Sequence, residues 1–177
     1  MNVSLLLYDL QSPVNLGQIL RVAETFQIPV QVYDPRSILT DANHYPTISD
    51  FSCGAYDRLT SARLLNAERL KDTLQSKRII ATALTDKAIT LPQYVFQDGD
   101  VILLGNEYDG LPQSVMDNAA EKLYIPLPSA NLPKPRSFSP IDKTREESVA
   151  AEGIPNLSVS MTAAIIAYEI YAQKIKA

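Results

Sequence analysis

The stretch from Val101 to Pro112 constrains the fold of this chain more than any other. Four apolar residues lead directly into the sequence Gly-Asn-Glu-Tyr-Asp-Gly-Leu-Pro. Such a pattern predicts a buried strand, then a polar turn, then a proline that can open a helix. In open α/β sheets, ligands bind just outside the carboxyl ends of strands, where backbone groups and short polar side chains converge. The stretch therefore predicts a ligand-binding loop or, as the plainer interpretation, a β-to-α turn with a helix cap.

Strands and helices are predicted to alternate along the chain, from short apolar runs and from apolar residues at helical spacing. The predicted strands cover residues 3–8, 30–33, 78–84, 100–104 and 122–125. The predicted helices cover residues 13–26, 62–74, 112–118 and 157–175, with a short helix and loop in 38–56. This order favours an α/β fold, a mostly parallel sheet covered by helices, in a single domain over residues 1–177.

Composition argues against several classes of site. The 177 residues include one cysteine and one histidine, so we expect neither a disulfide framework nor a His/Cys metal cluster. We expect Cys53 to be a small buried residue and His44 to be a solvated loop residue. The net charge of −4 argues against strong non-specific binding to phosphate backbones. With no signal peptide and no apolar run of membrane-spanning length, we expect a cytoplasmic protein.

Ser12 and Pro13 predict the start of the first helix, with Ser12 as a possible cap. This helix carries Asn15, Gly17 and Arg21 directly after the first strand. Gly17 and Arg21 are four residues apart and share a helix face. Glycine destabilises a helix, so a packing or ligand contact is expected to account for it. The Arg21 guanidinium could bind a phosphate, or it could be solvated beside a tight helix contact.

The final predicted helix begins with short polar side chains at Asn156, Ser158 and Ser160. Helix starts leave N–H groups free, so these residues could help bind a ligand or simply cap the helix. The next part, residues 163–171, leaves little polar face. We therefore expect this helix to be buried in the core or against a second subunit.

Together these segments resemble the SpoU (TrmH-like) RNA 2′-O-methyltransferases of the SPOUT superfamily. The first motif of that family resembles residues 15–21, Asn-x-Gly-x-x-x-Arg. The second resembles residues 104–112, followed by Ile-Pro-Leu at 125–127. The third resembles residues 156–160, Asn-Leu-Ser-Val-Ser, leading into Tyr-Glu at 168–169. The motifs occur in the family's order, and the resemblance covers the whole chain.

The resemblance implies a five- or six-stranded α/β fold whose C-terminal part forms a deep trefoil knot. It also implies S-adenosylmethionine as cofactor and a homodimer with the active site at the subunit interface. The implied reaction is methyl transfer to a ribose 2′-hydroxyl of RNA. Because no RNA-binding extension flanks the domain, the chain looks most like the short enzymes that modify the tRNA wobble ribose.

The resemblance also assigns roles to individual residues, and no metal ion is among them. The catalytic residues would be Arg21, Glu107, Asn156 and Ser158. The cofactor would be bound by Leu84, Gly105, Ile125, Leu127, Asn156 and Ser158. RNA would be bound by Asn15 and by Arg21 (from the partner subunit). Apart from the resemblance, the basic side chains of Lys134 and Arg136 in the segment 128–153 are predicted to contact RNA phosphates.

The chain departs from the family pattern in two places. The family reads Ser-Leu-Asn-x-Ser in the third motif, so Asn156 takes the serine position and Ser158 the asparagine position. In addition, the Pro-rich segment 128–153 is longer than the usual link between the second and third motifs, and it is either a functional loop or a surface insertion. One alternative is therefore a non-catalytic dimer that binds RNA or the cofactor. A Rossmann-like nucleotide-binding enzyme is another, although no Gly-x-Gly-x-x-Gly follows the first strand.

Overall fold

The computed structural model describes residues 1–58, 63–83, 85, 87–128 and 157–176. The strands are β1 (Ser4–Tyr8), β2 (Val30–Tyr33), β3 (Arg63–Leu65), β4 (Arg78–Thr82), β5 (Ile89–Thr90), β6 (Asp100–Leu104) and β7 (Glu121–Tyr124). The helices are α1 (Pro13–Phe26), α2 (Tyr45–Ser52), α3 (Ala55–Arg58), α4 (Ala67–Ser76), α5 (Gln113–Met116) and α6 (Val159–Lys174). A 3-10 turn covers Leu91–Gln93.

The named strands form one sheet in the order β3-β2-β1-β6-β4-β7-β5, and every pair of neighbours is parallel. The resemblance implied five or six strands; the sheet has seven because two very short ones, β3 and β5, extend its edges. β1 and β6 lie side by side in the middle of the sheet, with Leu7 opposite Leu104. The segments that follow these two strands therefore leave the sheet next to each other.

Helices cover both faces of the sheet, as the apolar strand sequences predicted. One face packs against α1, α2 and α6, through a core that includes Leu16, Ile19, Leu20, Ile48, Ala163 and Ile166. The other face packs against α4 and α5, through Leu70 and Val115. Every residue of β6 is buried, as expected for a central strand covered on both sides. The α/β fold with a parallel, covered sheet is confirmed.

Two sequence-based expectations were wrong in this part of the chain. The helix predicted for residues 62–74 is a strand and a helix, because β3 pairs with β2 and α4 begins only after the Asn66 cap, whose side chain accepts the backbone N–H of Arg69 at 2.9 Å. Cys53 is exposed rather than buried. It ends α2 in the left-handed conformation, with φ of 52°, and this position points it away from the core.

A buried carboxylate fixes the amino end of β6. Asp100 is fully buried and accepts hydrogen bonds from Arg78 Nη1 at 2.7 Å, from the Tyr94 hydroxyl at 2.9 Å and from the backbone N–H of Gln97 at 2.9 Å. Burial, together with the bond to Asp100, raises the pKa of Tyr94. Because each oxygen of Asp100 has a donor, the cost of burying the charge is offset.

Gln173 attaches the C-terminal end of α6 to the segment before β6. Its Nε2 donates to the backbone carbonyl of Tyr94 at 2.8 Å, and its Oε1 accepts the backbone N–H of Phe96 at 3.0 Å. Phe96 itself is buried in the core beside α6. The position of α6 on the sheet is therefore fixed by hydrogen bonds as well as by apolar contacts.

Residue contacts divide the chain into two units, Met1–Ile125 with Ser158–Ala177, and Pro126–Leu157. Most of the second unit lies outside the described residues, including the predicted Pro-rich loop and the path that a knot would need. Both stay predictions, as does the single domain. No described helix has the length and apolar character needed to cross a bilayer. Within the described ranges, His, Cys, Asp and Glu side chains form no cluster that could hold a metal ion.

Gly17 allows α1 and α2 to approach each other closely. A Cβ added at Gly17 would lie 2.8 Å from the backbone oxygen of Ile48, 3.0 Å from Cβ of Phe51 and 3.2 Å from the backbone nitrogen of Ser52. Two of these atoms belong to the backbone of α2 and cannot rotate away. The packing contact expected for this helical glycine is confirmed.

We predict that Gly17→Ala lowers the melting temperature. Alanine would stabilise an isolated helix by about 1 kcal/mol over glycine, but overpacking against backbone atoms costs about 1–3 kcal/mol. The clash should therefore dominate in a thermal unfolding experiment. Thr25→Ala, exposed on the same helix, is the control and should change the melting temperature less. A Gly17→Ala variant more stable than the native protein would show that α2 is free to shift.

Candidate functional site

The segments after β1 and β6 are joined by the carboxylate of Glu107. Its Oε2 accepts the backbone N–H of Gln11 at 2.9 Å. Its Oε1 accepts the backbone N–H of Ser12 at 3.2 Å and Nδ2 of Asn15 at 3.0 Å. A carboxylate is favoured here because the first turn of α1 has free N–H groups and the positive end of the helix dipole. Glu107 thus holds the second motif, which follows β6, against the first motif, which follows β1.

The loop that carries Glu107 is folded by its own hydrogen bonds. Oδ1 of Asn106 accepts the backbone N–H groups of Tyr108 and Asp109 at 2.9 and 2.7 Å. The backbone N–H of Asn106 donates to the carbonyl of Gly110 at 3.2 Å, and Gly110 has a φ of +67°. A Cβ on Gly105 would lie 2.5 Å from the carbonyl carbon of Gly110. Gly105 is therefore required by the returning chain, and its role in cofactor binding stays a prediction.

Asn15 connects this loop to the start of α6. Its Nδ2 donates to Glu107, and its Oδ1 accepts the Ser160 hydroxyl at 3.0 Å. The hydroxyls of Ser160 and Ser158 are 3.0 Å apart. Ser160 is buried, with 6% of its surface exposed. Ser158 is exposed at the N-cap of α6, where its Oγ accepts the backbone N–H of Met161 at 3.2 Å.

The three motifs singled out in the sequence therefore meet in one hydrogen-bonded chain, Glu107–Asn15–Ser160–Ser158. This series of hydrogen bonds runs from the carboxyl end of β6, across the start of α1, to the start of α6. Sequence reasoning placed Glu107, Asn15 and Ser158 in the site but assigned them separate roles. It also named Ser12 as a possible helix cap, which is confirmed, because Oγ of Ser12 accepts the backbone N–H of Asn15 at 3.3 Å.

Two contributors were given no specific role from the sequence, although Ser160 was named among the polar residues at the start of the final helix. The backbone N–H of Gln11 binds Glu107, and a backbone donor leaves no residue-type signal. Ser160 is the link between Asn15 and Ser158. In the sequence, Ser160 stands two residues after Ser158 at a helix start. That position does not reveal that the Ser160 hydroxyl points inward.

Arg21 lies beside this chain, in a shallow cleft of about 410 Å³ between α1, α2 and the start of α6. The cleft is lined by Gln18, Arg21, Val22, Asp50, Phe51, Ser160, Met161 and Ala164. Arg21 is exposed, and it belongs to the same compact unit as the Glu107 chain. Ser160 takes part in both the cleft and the hydrogen-bonded chain. The cleft therefore brings the Arg21 guanidinium and the Ser160 hydroxyl to one surface.

The remaining predicted site residues are only partly described. Ile125 follows β7 and packs partly buried against the core that contains α6. Leu127 lies in the second unit, Pro126–Leu157. Four predicted residues lie outside the described residues, namely Leu84, Lys134, Arg136 and Asn156. Their proposed roles stay predictions.

An ion pair follows β1 on the other side of the loop. Arg36 donates from Nε to Oδ1 of Asp9 at 2.9 Å and from Nη2 to Oδ2 at 3.3 Å. The hydrogen bonds to Asp9 raise the pKa of Arg36. Asp9 has a φ of 52°, which turns the chain out of β1 toward Gln11. The pair therefore supports the path of the loop that reaches Glu107.

We predict that Glu107→Gln loosens the start of α1. A glutamine offers one acceptor oxygen and turns an NH₂ group toward N–H donors, so one or two donors lose their partner. The expected loss of unfolding free energy is about 1–3 kcal/mol, seen as a lower melting temperature and faster hydrogen exchange at Gln11 and Ser12. Glu68→Gln, at an exposed position in α4, is the control. Unchanged exchange at Gln11 and Ser12 would contradict the role given to Glu107.

The comparisons with curated proteins agree with one another. An uncharacterised tRNA/rRNA methyltransferase of Synechocystis is 25% identical over 173 residues, which are 97% of this chain and 38% of that protein. A tRNA (cytidine(34)-2′-O)-methyltransferase of Ancylobacter novellus is 25% identical over 129 residues, 72% of this chain and 79% of that protein. The chain thus spans little more than a third of the first relative and most of the second.

Solved structures share the fold. A structure described as giving insights into the 2-OH methylation of C/U34 on tRNA superposes with a TM-score of 0.73 at 22% identity, over 99% of this chain and 97% of that one. An AdoMet-bound rRNA methyltransferase from Sinorhizobium meliloti superposes with a TM-score of 0.71 at 17% identity, over 95% of this chain and 55% of that one. The model of the SpoU rRNA Methylase family matches residues 2–132. This chain belongs to the SpoU methylase family.

Proposed function

We propose that this protein transfers a methyl group from S-adenosylmethionine to the ribose 2′-hydroxyl of nucleotide 34 in tRNA. The observation that carries the proposal is the Glu107–Asn15–Ser160–Ser158 chain, which ends in an exposed hydroxyl next to the Arg21 cleft. SpoU methyltransferases use S-adenosylmethionine. The choice of nucleotide 34 is supported by the Ancylobacter relative and by the structure concerned with C/U34, both of which match this chain over most of their own length.

We propose that the cofactor binds at the carboxyl edge of the sheet. Gly105 follows β6 and Ile125 follows β7, and these strands flank β4 on either side. Backbone groups beyond the ends of strands are free to bind an adenine or a carboxylate. We propose that Gly105, Ile125 and Ser158 contribute to the cofactor site together with Leu84, Leu127 and Asn156. When bound, S-adenosylmethionine supplies an electrophilic methyl group on a sulfonium.

Methyl transfer of this kind depends on placing the two reactants in line, so positioning should supply much of the rate. Arg21 has five N–H donors and no acceptor. A guanidinium of this kind holds a phosphate through paired hydrogen bonds. We therefore give Arg21 the task of fixing the RNA backbone, so that the target ribose faces Ser158. Glu107 and Asn15 hold the start of α1, and with it the helix face that carries Arg21.

We also propose that the active enzyme is a homodimer. Five large apolar side chains on α6 and at its C-cap are at least 39% exposed: Met161, Ile165, Tyr168, Tyr171 and Ile175. The Phe26 ring of α1 lies beside two of them, with ring centroids 6.4 Å from Tyr168 and 5.8 Å from Tyr171. Exposed apolar side chains grouped in this way are typical of an interaction site. A second copy is the proposed occupant because it would bring a second Arg21 toward the site, as the family resemblance implies.

The proposal includes the C-terminal trefoil knot and a cytoplasmic location, where the enzyme would meet its tRNA. Lys134 and Arg136 would add phosphate contacts from the segment 128–153. These features rest on the family resemblance and on the sequence.

The direct test is to incubate the protein with S-adenosylmethionine and unmodified tRNA and to map ribose methylation by mass spectrometry. We expect one methyl group, on the 2′-oxygen of nucleotide 34. Methylation at another nucleotide would overturn the choice of substrate. Binding of cofactor and RNA without transfer would instead support the non-catalytic alternative, and calorimetric binding of NAD rather than S-adenosylmethionine would support a Rossmann-like enzyme.

We predict that Arg21→Ala reduces methyl transfer at least a hundredfold while the affinity for S-adenosylmethionine, measured by calorimetry, stays within about twofold. Loss of a positioning contact on the reacting nucleotide can cost this much in rate. Arg69→Ala removes an exposed arginine from α4, on the opposite face of the sheet, and should leave both quantities unchanged. Near-normal turnover by Arg21→Ala would make Arg21 a solvated surface residue.

We predict that the protein sediments as a dimer at micromolar concentration and that Ile165→Asp converts it to a monomer. A charge at this position would be buried without a partner in the dimer and solvated in the monomer. Leu64→Asp, at an exposed apolar position on the edge strand β3, is the matched control and should remain dimeric. A native protein that sediments as a monomer would contradict the shared active site.

A further inference from the structure

The exposed hydroxyl of Ser158 has a fixed hydrogen-bond direction, and that direction is set at the other end of the Glu107–Asn15–Ser160–Ser158 chain. A serine hydroxyl has one hydrogen to donate and two lone pairs that accept. Which of these Ser158 offers to a ligand depends on where its hydrogen points. The hydrogen bonds between Glu107, Asn15, Ser160 and Ser158 fix the direction of this hydrogen before any ligand binds.

The direction begins at Glu107. Both of its oxygens accept N–H groups, so the atom of Asn15 that faces it must be the donor, Nδ2, at 3.0 Å. A flipped amide would place the Asn15 oxygen against the carboxylate, and two acceptors repel each other. The oxygen of Asn15 therefore faces Ser160, and the Ser160 hydroxyl must donate to it, at 3.0 Å.

The direction then passes to Ser158. Ser160 has used its only hydrogen on Asn15, so the hydrogen in the 3.0 Å contact between the two serines must come from Ser158. Ser158 also accepts the backbone N–H of Met161 at 3.2 Å, which takes one lone pair. Among its contacts with described residues, the exposed Oγ of Ser158 is left with one free lone pair and no free hydrogen.

We propose that Ser158 acts toward the target nucleotide only as an acceptor, and that it selects the free ribose 2′-hydroxyl over the methylated product. This inference rests on the proposed function. A 2′-hydroxyl can donate its hydrogen to Ser158, and doing so leaves a lone pair on the ribose oxygen free to face the cofactor. A 2′-O-methyl group has no hydrogen to donate. Ser160 and Asn15 are positioning residues, because they act by fixing the Ser158 hydrogen.

The experiment compares two anticodon stem-loop RNAs that differ only at nucleotide 34, with a free 2′-hydroxyl or a 2′-O-methyl group. Affinities are measured with S-adenosylhomocysteine present, so that no turnover occurs. The readout is the ratio of the two affinities in each variant relative to the native protein. The bulk of the methyl group weakens binding in every variant and cancels in this comparison.

We expect Ser160→Ala to lower the preference for the free hydroxyl about fivefold, the size of an ordinary neutral hydrogen bond. Without Ser160, the Ser158 hydrogen is released and can turn outward to the ether oxygen of the methylated RNA. Ser114→Ala is the matched control, because this exposed serine lies on α5, on the opposite face of the sheet. It should leave the preference unchanged.

Ser158→Ala is a second, exposed variant that keeps the inference testable if Ser160→Ala does not fold. It should also lower the preference, but by weakening the binding of the RNA with the free hydroxyl rather than by strengthening the binding of the methylated RNA.

An unchanged affinity ratio in both serine variants, with methylation of nucleotide 34 by the native protein, would overturn this inference alone. Loss of S-adenosylhomocysteine affinity without a change in the ratio would also overturn it, because the free lone pair would then serve the cofactor. A native protein that neither binds nor methylates these RNAs would overturn the proposed function as well.

Discussion

The site depends on one carboxylate. Glu107 stands on the loop after β6, yet each of its described hydrogen-bond donors belongs to the segment after β1. The two strands are neighbours in the sheet, so their carboxyl ends leave it side by side. Backbone N–H groups at a helix start have no acceptor within the helix. An anionic side chain binds them more strongly than a neutral one does. These hydrogen bonds therefore hold the two loops against each other beyond the ends of their strands.

Around that bond the site is built as one series of hydrogen bonds. The Gly105–Gly110 turn holds Glu107 in place from behind, through backbone contacts that leave no room for a Cβ. Asn15 forms a hydrogen bond with the buried Ser160, and Ser160 forms one with the exposed Ser158. Each hydrogen bond in the series depends on the one before it. The direction of the exposed Ser158 hydroxyl is therefore set by contacts within the protein.

Much of the fold could be predicted from the sequence, and the reasons are local. Continuous apolar runs identified β1 and β6, and Ser12 with Pro13 identified the start of α1. β3 could not be predicted, because three residues are too few to show the alternation of a strand and their pairing with β2 is decided by the rest of the sheet. Likewise, the motifs predicted that the first, second and third segments share a site. They could not predict which atoms face one another, because the Ser160 hydroxyl and the backbone N–H of Gln11 gain their roles only from the packing of α6 and the path of the loop.

The attachment of α6 at both ends has a consequence for how this protein can respond to its partners. Gln173 fastens the last turn to residues 94–96, and Ser160 fastens the first turn to Asn15. These contacts lie near the two ends of a helix of 16 residues, about 24 Å long, whose outer side carries exposed apolar side chains. A partner that packed on this side would contact the same helix that holds Ser158 at its N-cap, so that assembly and the placement of this hydroxyl would depend on one element.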